Sequence, residues 1–246
     1  MTQFCLFNLY GPMAGYGGIA VGEMRSSWSR PSRSAVLGMI AAALGIRRDD
    51  EKAQTNLQAG YGFSVMVLQP GTMMQDFHTI QSVSSKSLKK MNHVMTRRDE
   101  MNLGDSETIL SKREYLCDHI SVACVWIRDA ESAQYSLEEI VMAFRNPAYC
   151  LYLGRKSCPP ALPVHARVIQ SDSLKSAMIQ HIEGFDFLNG FKVPDRVSLF
   201  FEEGIDPGLE EPVMMIKRRD NILSRSRWQF SDRNEYYARV YVSEGI

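Results

Sequence analysis

The feature that most constrains the fold is an alternation of predicted strands and helices along the first 170 residues of this 246-residue chain. Apolar runs rich in β-branched residues predict strands, and apolar residues at helical spacing predict helices. The elements are strands over Phe4–Tyr10, Tyr61–Leu68, Tyr115–Ile127 and Leu162–Ile169, with one helix within Arg30–Gly45 and another over Ser136–Phe144. In chain order this is strand, helix, strand, strand, helix, strand. That split βαβ order predicts an α+β, ferredoxin-like (RRM-like) core.

The first predicted helix carries its own start and stop signals. Ser32 or Ser34 is a candidate N-cap, and Gly45 stands where a left-handed C-cap residue is expected. Arg30 and Arg33 flank the N-terminus, where free backbone amides already favour an anion. A phosphate bound there would meet amides and guanidinium groups together. The alternative is an ordinary core helix with two solvated arginines.

Two further stretches fall outside this order. Residues 76–112 are polar, basic, rich in Ser and Met and without a clear period, as is typical of functional or disordered loops. Beyond Gln170 the pattern loosens, and strands predicted over Val197–Phe201, Val213–Lys217 and Ala238–Val242 indicate an antiparallel appendage. The sequence therefore predicts a domain over residues 1–170 with an insertion over 76–112, followed by a β-rich extension over 171–246.

Charge and cysteine content narrow the classes of protein further. The formal net charge is zero, but residues 25–48, 86–98 and 217–239 are mostly basic, and residues 183–211 are acidic. The five cysteines are scattered and lack CxxC spacing, which argues against a disulfide framework and a zinc ribbon. No apolar run is long enough to span a bilayer, and the N-terminus lacks the features of a signal peptide. We therefore expect a cytoplasmic protein with no membrane partner.

Cationic and tyrosine side chains recur at the ends of the predicted elements, where they can reach a ligand without distorting the core. Ferredoxin-like modules bind single strands through aromatic stacking and cationic contacts, so this coincidence favours RNA binding. The residues placed in this way are Tyr16, Arg30, Arg33, Arg113, Tyr115, Tyr149, Tyr152, Arg155 and Lys156.

Catalysis is the alternative to plain binding. A metal-independent ribonuclease uses Tyr, His and Lys as acid and base, and His78, Tyr115 and Lys112 are candidates, although nothing in their spacing requires this role. None of the five histidines has HxxxH or HExxH spacing. Cys117 and His119, on one predicted strand, supply only two ligands. We therefore expect no metal and no other cofactor.

Several blocks of sequence, taken in order, carry a resemblance to a known family. The blocks are Leu9-Tyr10-Gly11-Pro12-Met13, Arg30-Pro31-Ser32-Arg33-Ser34, Leu37-Gly38, residues 44–50, Asp76-Phe77-His78-Thr79, residues 113–118 and residues 152–159. Together they resemble the CasD family of type I-E CRISPR Cascade complexes over roughly residues 1–165. No convincing match extends beyond Gln170.

The resemblance implies both a fold and a set of partners. It implies an RRM-like core, a protruding thumb at residues 76–112 that wraps the guide RNA and docks on the adjacent Cascade backbone subunit, and a small C-terminal extension. The other implied partners are the crRNA, whose 5′ handle the family holds, the Cascade large subunit and the target DNA within the complex. A separate ribonuclease cuts the guide in this branch, so no catalysis is expected. A related branch, in type I-C systems, cuts the repeat RNA itself, which keeps a metal-independent endoribonuclease as the alternative.

The residues and the resemblance together predict a non-catalytic subunit that caps the 5′ handle of the crRNA. Arg30 and Arg33 are expected to hold phosphates at the helix mouth, and Arg113, Arg155 and Lys156 to hold the handle backbone. The stacking candidates are Tyr16, which stands where family members often carry Trp, Tyr115, Tyr149 and Tyr152. Two further residues, Ser34 and His78, complete the predicted RNA-binding set.

Overall fold

The structure, a computed structural model, describes residues 1–18, 20, 22–89, 95–102, 106–183, 191–209 and 213–242. Its strands are β1 Thr2–Tyr10, β2 Met13–Ala14, β3 Tyr16–Gly17, β4 Met24–Arg25, β5 Ser27–Trp28, β6 Tyr61–Gln69, β7 Thr72–Val83, β8 Ser106–Cys117, β9 Ile120–Ile127, β10 Arg167–Ser171, β11 Arg196–Phe201, β12 Met214–Ser224 and β13 Gln229–Tyr241. Its helices are α1 Arg33–Leu44, α2 Glu51–Gly60, α3 Ser85–Lys89, α4 Arg97–Met101, α5 Leu137–Arg145 and α6 Leu174–Glu183.

A seven-stranded sheet in the order β10-β1-β9-β6-β11-β13-β12 organises the chain. Every neighbouring pair in it is antiparallel. Four of these strands and two helices occur along the chain in the order β1, α1, β6, β9, α5, β10. This is the order of strands and helices predicted from the sequence. Two predicted boundaries are wrong. Residues 115–127 are two strands, because Asp118 turns the chain with a φ of 56° between β8 and β9. The strand predicted over Leu162–Ile169 begins only at Arg167.

The C-terminal strands extend the same sheet. Strand β11 pairs with β6, with Leu199 opposite Met66, and β13 and β12 follow outward. Strands therefore occur at the three positions predicted beyond Gln170, and they continue the main sheet. The region also holds α6, which the sequence pattern did not reveal.

Both faces of the sheet are covered by apolar contacts. Helices α1 and α5 pack on one face, where Phe7, Val65 and Val125 are buried. Helix α6 lies over the other face, where Leu6, Met66 and Leu199 are buried with Met178 of the helix. An RRM stacks bases on the exposed face of its sheet. In this protein both faces are covered, so bases cannot stack on the sheet in that way.

The caps of the helices follow from local sequence. The Ser32 side chain accepts a hydrogen bond from the Ala35 amide at 3.1 Å, and Gly45 ends α1 with a φ of 77°. Ser136 and Glu139 form the capping box of α5. The N-cap of α2 is Asp50.

Residues 76–112, which the sequence pattern indicated as a loop, contain most of a long antiparallel ribbon. Strands β7 and β8 pair from Thr72 opposite Cys117 to Val83 opposite Ser106. The sequence shows no strand period because both faces of the ribbon are largely exposed, including the large apolar side chains of Phe77 and Ile109. We call β7 and β8 the β7–β8 ribbon.

None of the described helices is long and apolar enough to cross a membrane. All five cysteines are free thiols, and Cys150 is the exposed one among them. Burial raises the pKa of the Cys5 thiol to about 12, so this thiol stays protonated and unreactive.

Candidate nucleic-acid interface

A large concave surface lies along the outer side of α1. Two cavities of about 530 and 540 Å³ meet there and share Gly38, Arg48, Tyr152 and Arg225. We call the joined space the α1 groove. Its walls come from three parts of the chain: the glycine-rich segment after β1, the loop over residues 149–155, and the turn of the β12–β13 hairpin.

The α1 groove is strongly cationic. Its acidic residues are already engaged, because Asp49 pairs with Arg47 at 3.0 Å and Asp220 pairs with Arg233 at 2.6 Å. The remaining arginines have no carboxylate partner among the described residues; they are Arg25, Arg48, Arg155, Arg219 and Arg225. Five uncompensated guanidinium groups in one concave surface favour an extended polyanion as the ligand.

The loop over residues 149–155 forms one wall and is fixed by backbone contacts. The Tyr149 amide donates to the Ala42 carbonyl oxygen at 3.0 Å, and the Leu153 amide donates to the Cys158 carbonyl oxygen at 2.7 Å. Gly154 has a φ of 80°, which a side chain would disfavour. These contacts leave Tyr149 half exposed and Tyr152 partly exposed at the groove surface.

Arg155 links this wall to the base of the β7–β8 ribbon. It donates from Nη1 to the Glu114 carbonyl oxygen at 2.7 Å and from Nη2 to the Arg25 carbonyl oxygen at 2.6 Å. Its guanidinium carbon lies 4.8 Å from the centre of the Tyr115 ring. Arg155 therefore has a structural role as well as a place in the groove, while Lys156 beside it is exposed.

The structure corrects the expectation that Arg30 and Arg33 hold phosphates. Arg33 is 1% exposed, and its Nε lies 2.7 Å from the Glu202 carboxylate. Arg30 is also buried and forms an ion pair with Glu235. The N-terminus of α1 does bind an anion, but that anion is Asp220, whose carboxylate accepts from the Arg33 amide at 2.8 Å.

These contacts belong to a larger cluster, buried except for Arg128, that fastens α1 to the C-terminal strands. We call it the arginine–carboxylate cluster; its members are Arg30, Arg33, Arg128, Arg218, Arg233, Glu202, Asp220 and Glu235. Burial alone would raise the pKa of Glu235, but Arg218, Arg233 and Arg30 hold it below its usual value. Glu235 is therefore ionised at neutral pH.

The structure also corrects the prediction that Tyr16 and Tyr115 stack on bases, because both side chains are buried. Tyr16 is 2% exposed, and its ring meets the His119 ring edge-on at 5.8 Å between centres. Burial raises the pKa of the Tyr16 hydroxyl far above its usual value. Tyr115 is buried at the base of the ribbon, beneath Arg155. Neither ring has a free face for a base in this structure.

His119 makes the stability of this region depend on pH. Burial lowers its pKa to about 4, so between pH 6.5 and about 4 the unfolded chain binds a proton that the folded chain does not. We expect stability to fall as the pH drops through this window, by about 3 kcal/mol from His119. His119→Asn should make the free energy of unfolding, measured with urea, less dependent on pH. The dependence that remains would come from His181, whose pKa burial lowers to about 3. His78→Gln, at an exposed histidine, is the control, and an unchanged slope in His119→Asn would contradict the assignment.

The candidate residues on the ribbon do not line the groove. His78 forms an ion pair with Asp76 at 2.7 Å, and Arg113 stands opposite Asp76 in the ladder. His78 pairs with Ser111, whereas Tyr115 pairs with Met74, so His78 and Tyr115 are separated by about 13 Å along the ribbon. Lys112, opposite Phe77, projects from the other face of the ribbon. The three candidate acid and base residues do not converge.

Of the predicted residues, the groove brings together Ser34, Tyr149, Tyr152 and Arg155. RNA contact by these four stays a prediction. Sequence reasoning missed other lining residues, namely Arg25, Arg48, Arg219, Arg225 and Trp228. The signal was present in the basic runs 25–48 and 217–239, but nothing in the sequence showed that the two runs face each other. No cluster of three metal-ligating side chains occurs in the described parts of the chain.

These observations define the class: an α+β protein with an arginine-lined groove beside an antiparallel sheet. Comparison with known proteins then gives the family. A family model described as CRISPR-associated protein (Cas_Cas5) matches residues 4–234, and the chain belongs to this family. The chain is 29% identical over 189 residues to the CRISPR system Cascade subunit CasD of Escherichia coli (strain K12), covering 74% of this chain and 78% of that protein. The resemblance to the CasD family is thus confirmed.

Solved structures share the fold. One, described as a CRISPR RNA-guided surveillance complex, matches with a TM-score of 0.66 at 24% identity over 97% of this chain and 90% of that chain. Another, described as the crystal structure of a Cas protein, matches with a TM-score of 0.58 at 22% identity over 97% of this chain and 94% of that chain. The likeness therefore includes the C-terminal region, where sequence reasoning found no match.

Proposed function

We propose that this chain is a subunit of a CRISPR Cascade surveillance complex and that it binds the 5′ handle of the crRNA in the α1 groove. The name of the Escherichia coli relative supports membership of Cascade. The antiparallel path β10-β1-β9-β6 supports a ferredoxin-like (RRM-like) core. The chain acts as a binding subunit without catalysis, and a cytoplasmic location suits that role.

The observation that carries this proposal is the coincidence of uncompensated charge and exposed aromatic rings in one groove. Five arginines without a described carboxylate partner line it, and Tyr149 and Trp228, each about half exposed, stand at its two sides. Cationic grooves with aromatic platforms are the usual means of binding single-stranded RNA. Since both faces of the sheet are covered, the groove is the described surface best suited to the handle.

The other partners follow from the exposed parts of the molecule. The β7–β8 ribbon, with Phe77, Ile80 and Ile109 exposed, acts as the thumb that docks on the Cascade backbone subunit. The Cascade large subunit and the target DNA are reached within the assembled complex. These assignments rest on the family and on the apolar exposure of the ribbon.

Salt dependence of RNA binding tests the proposed site. With about four phosphates engaged, affinity for a repeat-derived handle RNA should fall about 50-fold between about 50 and about 200 mM salt. Fluorescence anisotropy with labelled RNA measures this, and an RNA of scrambled sequence is the control. Affinity that is insensitive to salt would contradict a phosphate-binding groove.

The same RNA tests the absence of catalysis. We expect the full chain to leave labelled repeat RNA intact in EDTA during prolonged incubation. Site-specific cleavage that is lost in His78→Ala or Tyr115→Phe would establish the endoribonuclease alternative.

A further inference from the structure

The turn that joins β12 to β13 contributes Arg225 and Trp228 to the α1 groove. It spans residues 225–228 and reaches across the chain to the outer side of α1. Glu51, at the start of α2, holds it in place, because its carboxylate accepts from the Ser224 hydroxyl at 3.1 Å and from the Ser226 hydroxyl. The turn is therefore fixed at the point where the two cavities of the α1 groove meet.

Arg225 lies in this turn and has no carboxylate partner among the described residues. Its Nη2 donates to the Ser34 carbonyl oxygen at 2.6 Å. Burial and, to a smaller extent, the nearby Arg48 together lower the pKa of Arg225 to about 10. The guanidinium groups of Arg48 and Arg225 repel each other where the two cavities meet. An anion bound between them would relieve this repulsion.

Gly38 of α1 makes room for this arrangement. A Cβ atom at position 38 would lie 2.8 Å from Nη2 of Arg225, so the guanidinium group rests against the bare backbone of the helix. Glycine within a helix costs about 1 kcal/mol relative to alanine. Close approach of Arg225 is a physical reason for a glycine at this position.

Trp228 supplies an aromatic surface beside the two arginines. Its side chain is 56% exposed, and its backbone has a φ of 51°, a left-handed conformation that is unfavourable for a large residue. The guanidinium carbon of Arg48 lies 4.7 Å from the centre of the indole ring, and the ring of Phe230 lies 6.4 Å away. An exposed indole held in a strained turn next to two cations is arranged for a ligand.

We propose that Arg48, Arg225 and Trp228 form a nucleotide subsite of the α1 groove, in which the two arginines hold one phosphate of a single-stranded RNA and the indole stacks on the adjoining base. This subsite rests on the function proposed above and adds the C-terminal hairpin to the RNA interface. The sequence-derived candidates all lie before residue 157, so none of them includes this hairpin.

Binding of the handle RNA to the full chain and its variants tests the subsite. Arg225→Gln should weaken RNA affinity at least 5-fold. It should also reduce the slope of log affinity against log salt concentration by about 0.7, the value for one phosphate of a single strand. The matched control is Arg227→Gln, an exposed arginine of the same turn outside both cavities, which should stay within about twofold of the parent. Gly38→Ala should weaken binding like Arg225→Gln while leaving the Tm unchanged or higher, because alanine favours the helix.

Trp228 is tested by affinity and by fluorescence. Trp228→Ala should weaken binding about 5- to 150-fold, the range for a lost stacking contact, and RNA should quench the tryptophan fluorescence of the parent. Trp228→Phe should retain most of the affinity and lose most of the quenching. If the parent binds RNA with salt sensitivity but Arg225→Gln and Trp228→Ala match Arg227→Gln, the subsite is refuted and the proposed function stands. If the parent shows no salt-sensitive RNA binding, both are refuted.

Discussion

Arg33→Met is expected to lower the free energy of unfolding by about 3–5 kcal/mol, the usual cost of removing one partner from a buried ion pair. Arg33 lies 2.7 Å from the Glu202 carboxylate and also donates to the Tyr61 carbonyl oxygen at 3.0 Å and the Asn221 side chain at 3.1 Å. Methionine fills similar space but satisfies none of these acceptors, and the Glu202 carboxylate and the Tyr61 carbonyl are buried away from water. Urea unfolding followed by circular dichroism measures the change.

The control for this prediction is Arg47→Met. Arg47 also pairs with an aspartate, Asp49, at 3.0 Å, but both side chains are largely exposed. Such surface pairs contribute little, so the expected change is within about 0.5 kcal/mol. If Arg33→Met cost no more than Arg47→Met, the arginine–carboxylate cluster would not be what fastens α1 to the C-terminal strands.

Gly154→Ala is expected to destabilise the wall of the α1 groove through both strain and collision. Gly154 has a φ of 80°, and a Cβ atom there would lie 2.3 Å from the carbonyl oxygen of Gly15. A left-handed conformation alone costs a residue with a side chain about 1–2 kcal/mol. Since the obstacle is backbone and cannot turn aside, we expect a total loss of about 3 kcal/mol or more and weaker RNA binding.

Gly204→Ala separates the two causes. Gly204 has a φ of 84°, and a Cβ atom there would meet nothing within 4 Å. This variant should show the strain alone, about 1–2 kcal/mol, with RNA affinity unchanged. Equal losses of stability in the two variants would contradict close packing between Gly154 and Gly15.

The core of the fold could be predicted because its elements carry strong local signals. Strands such as β6 consist of buried apolar residues, and the caps of α1 and α5 use the residues that helix ends favour. The β7–β8 ribbon was interpreted as a loop because both of its faces are largely exposed, and such a strand lacks the alternation that identifies a half-buried one. Helix α6 follows a region of weak periodicity and packs through few residues, including Leu174 and Met178.

The candidate site could be predicted only in part because its cations come from distant segments. Arg33 carries the local signature of a phosphate ligand, but the acids that neutralise it, Glu202 and Asp220, follow about 170 to 190 residues later. The pairing of β11 with β6 brings Glu202, which follows β11, to the end of α1. The β12–β13 hairpin brings Asp220 there. The same hairpin places Arg225 in the groove, so one tertiary contact explains both the wrong prediction and the missed residue.

Photo-crosslinking tests the central claim, that RNA lies in the α1 groove, most directly. The full chain would be irradiated with a handle RNA that contains 4-thiouridine, and the crosslinked residues identified by mass spectrometry. We predict crosslinks at Tyr149, Tyr152 and Trp228, which stand around the groove, and their loss at high salt. Crosslinks confined to α6 or to the outer edge of β12, with none around the groove, would contradict the account.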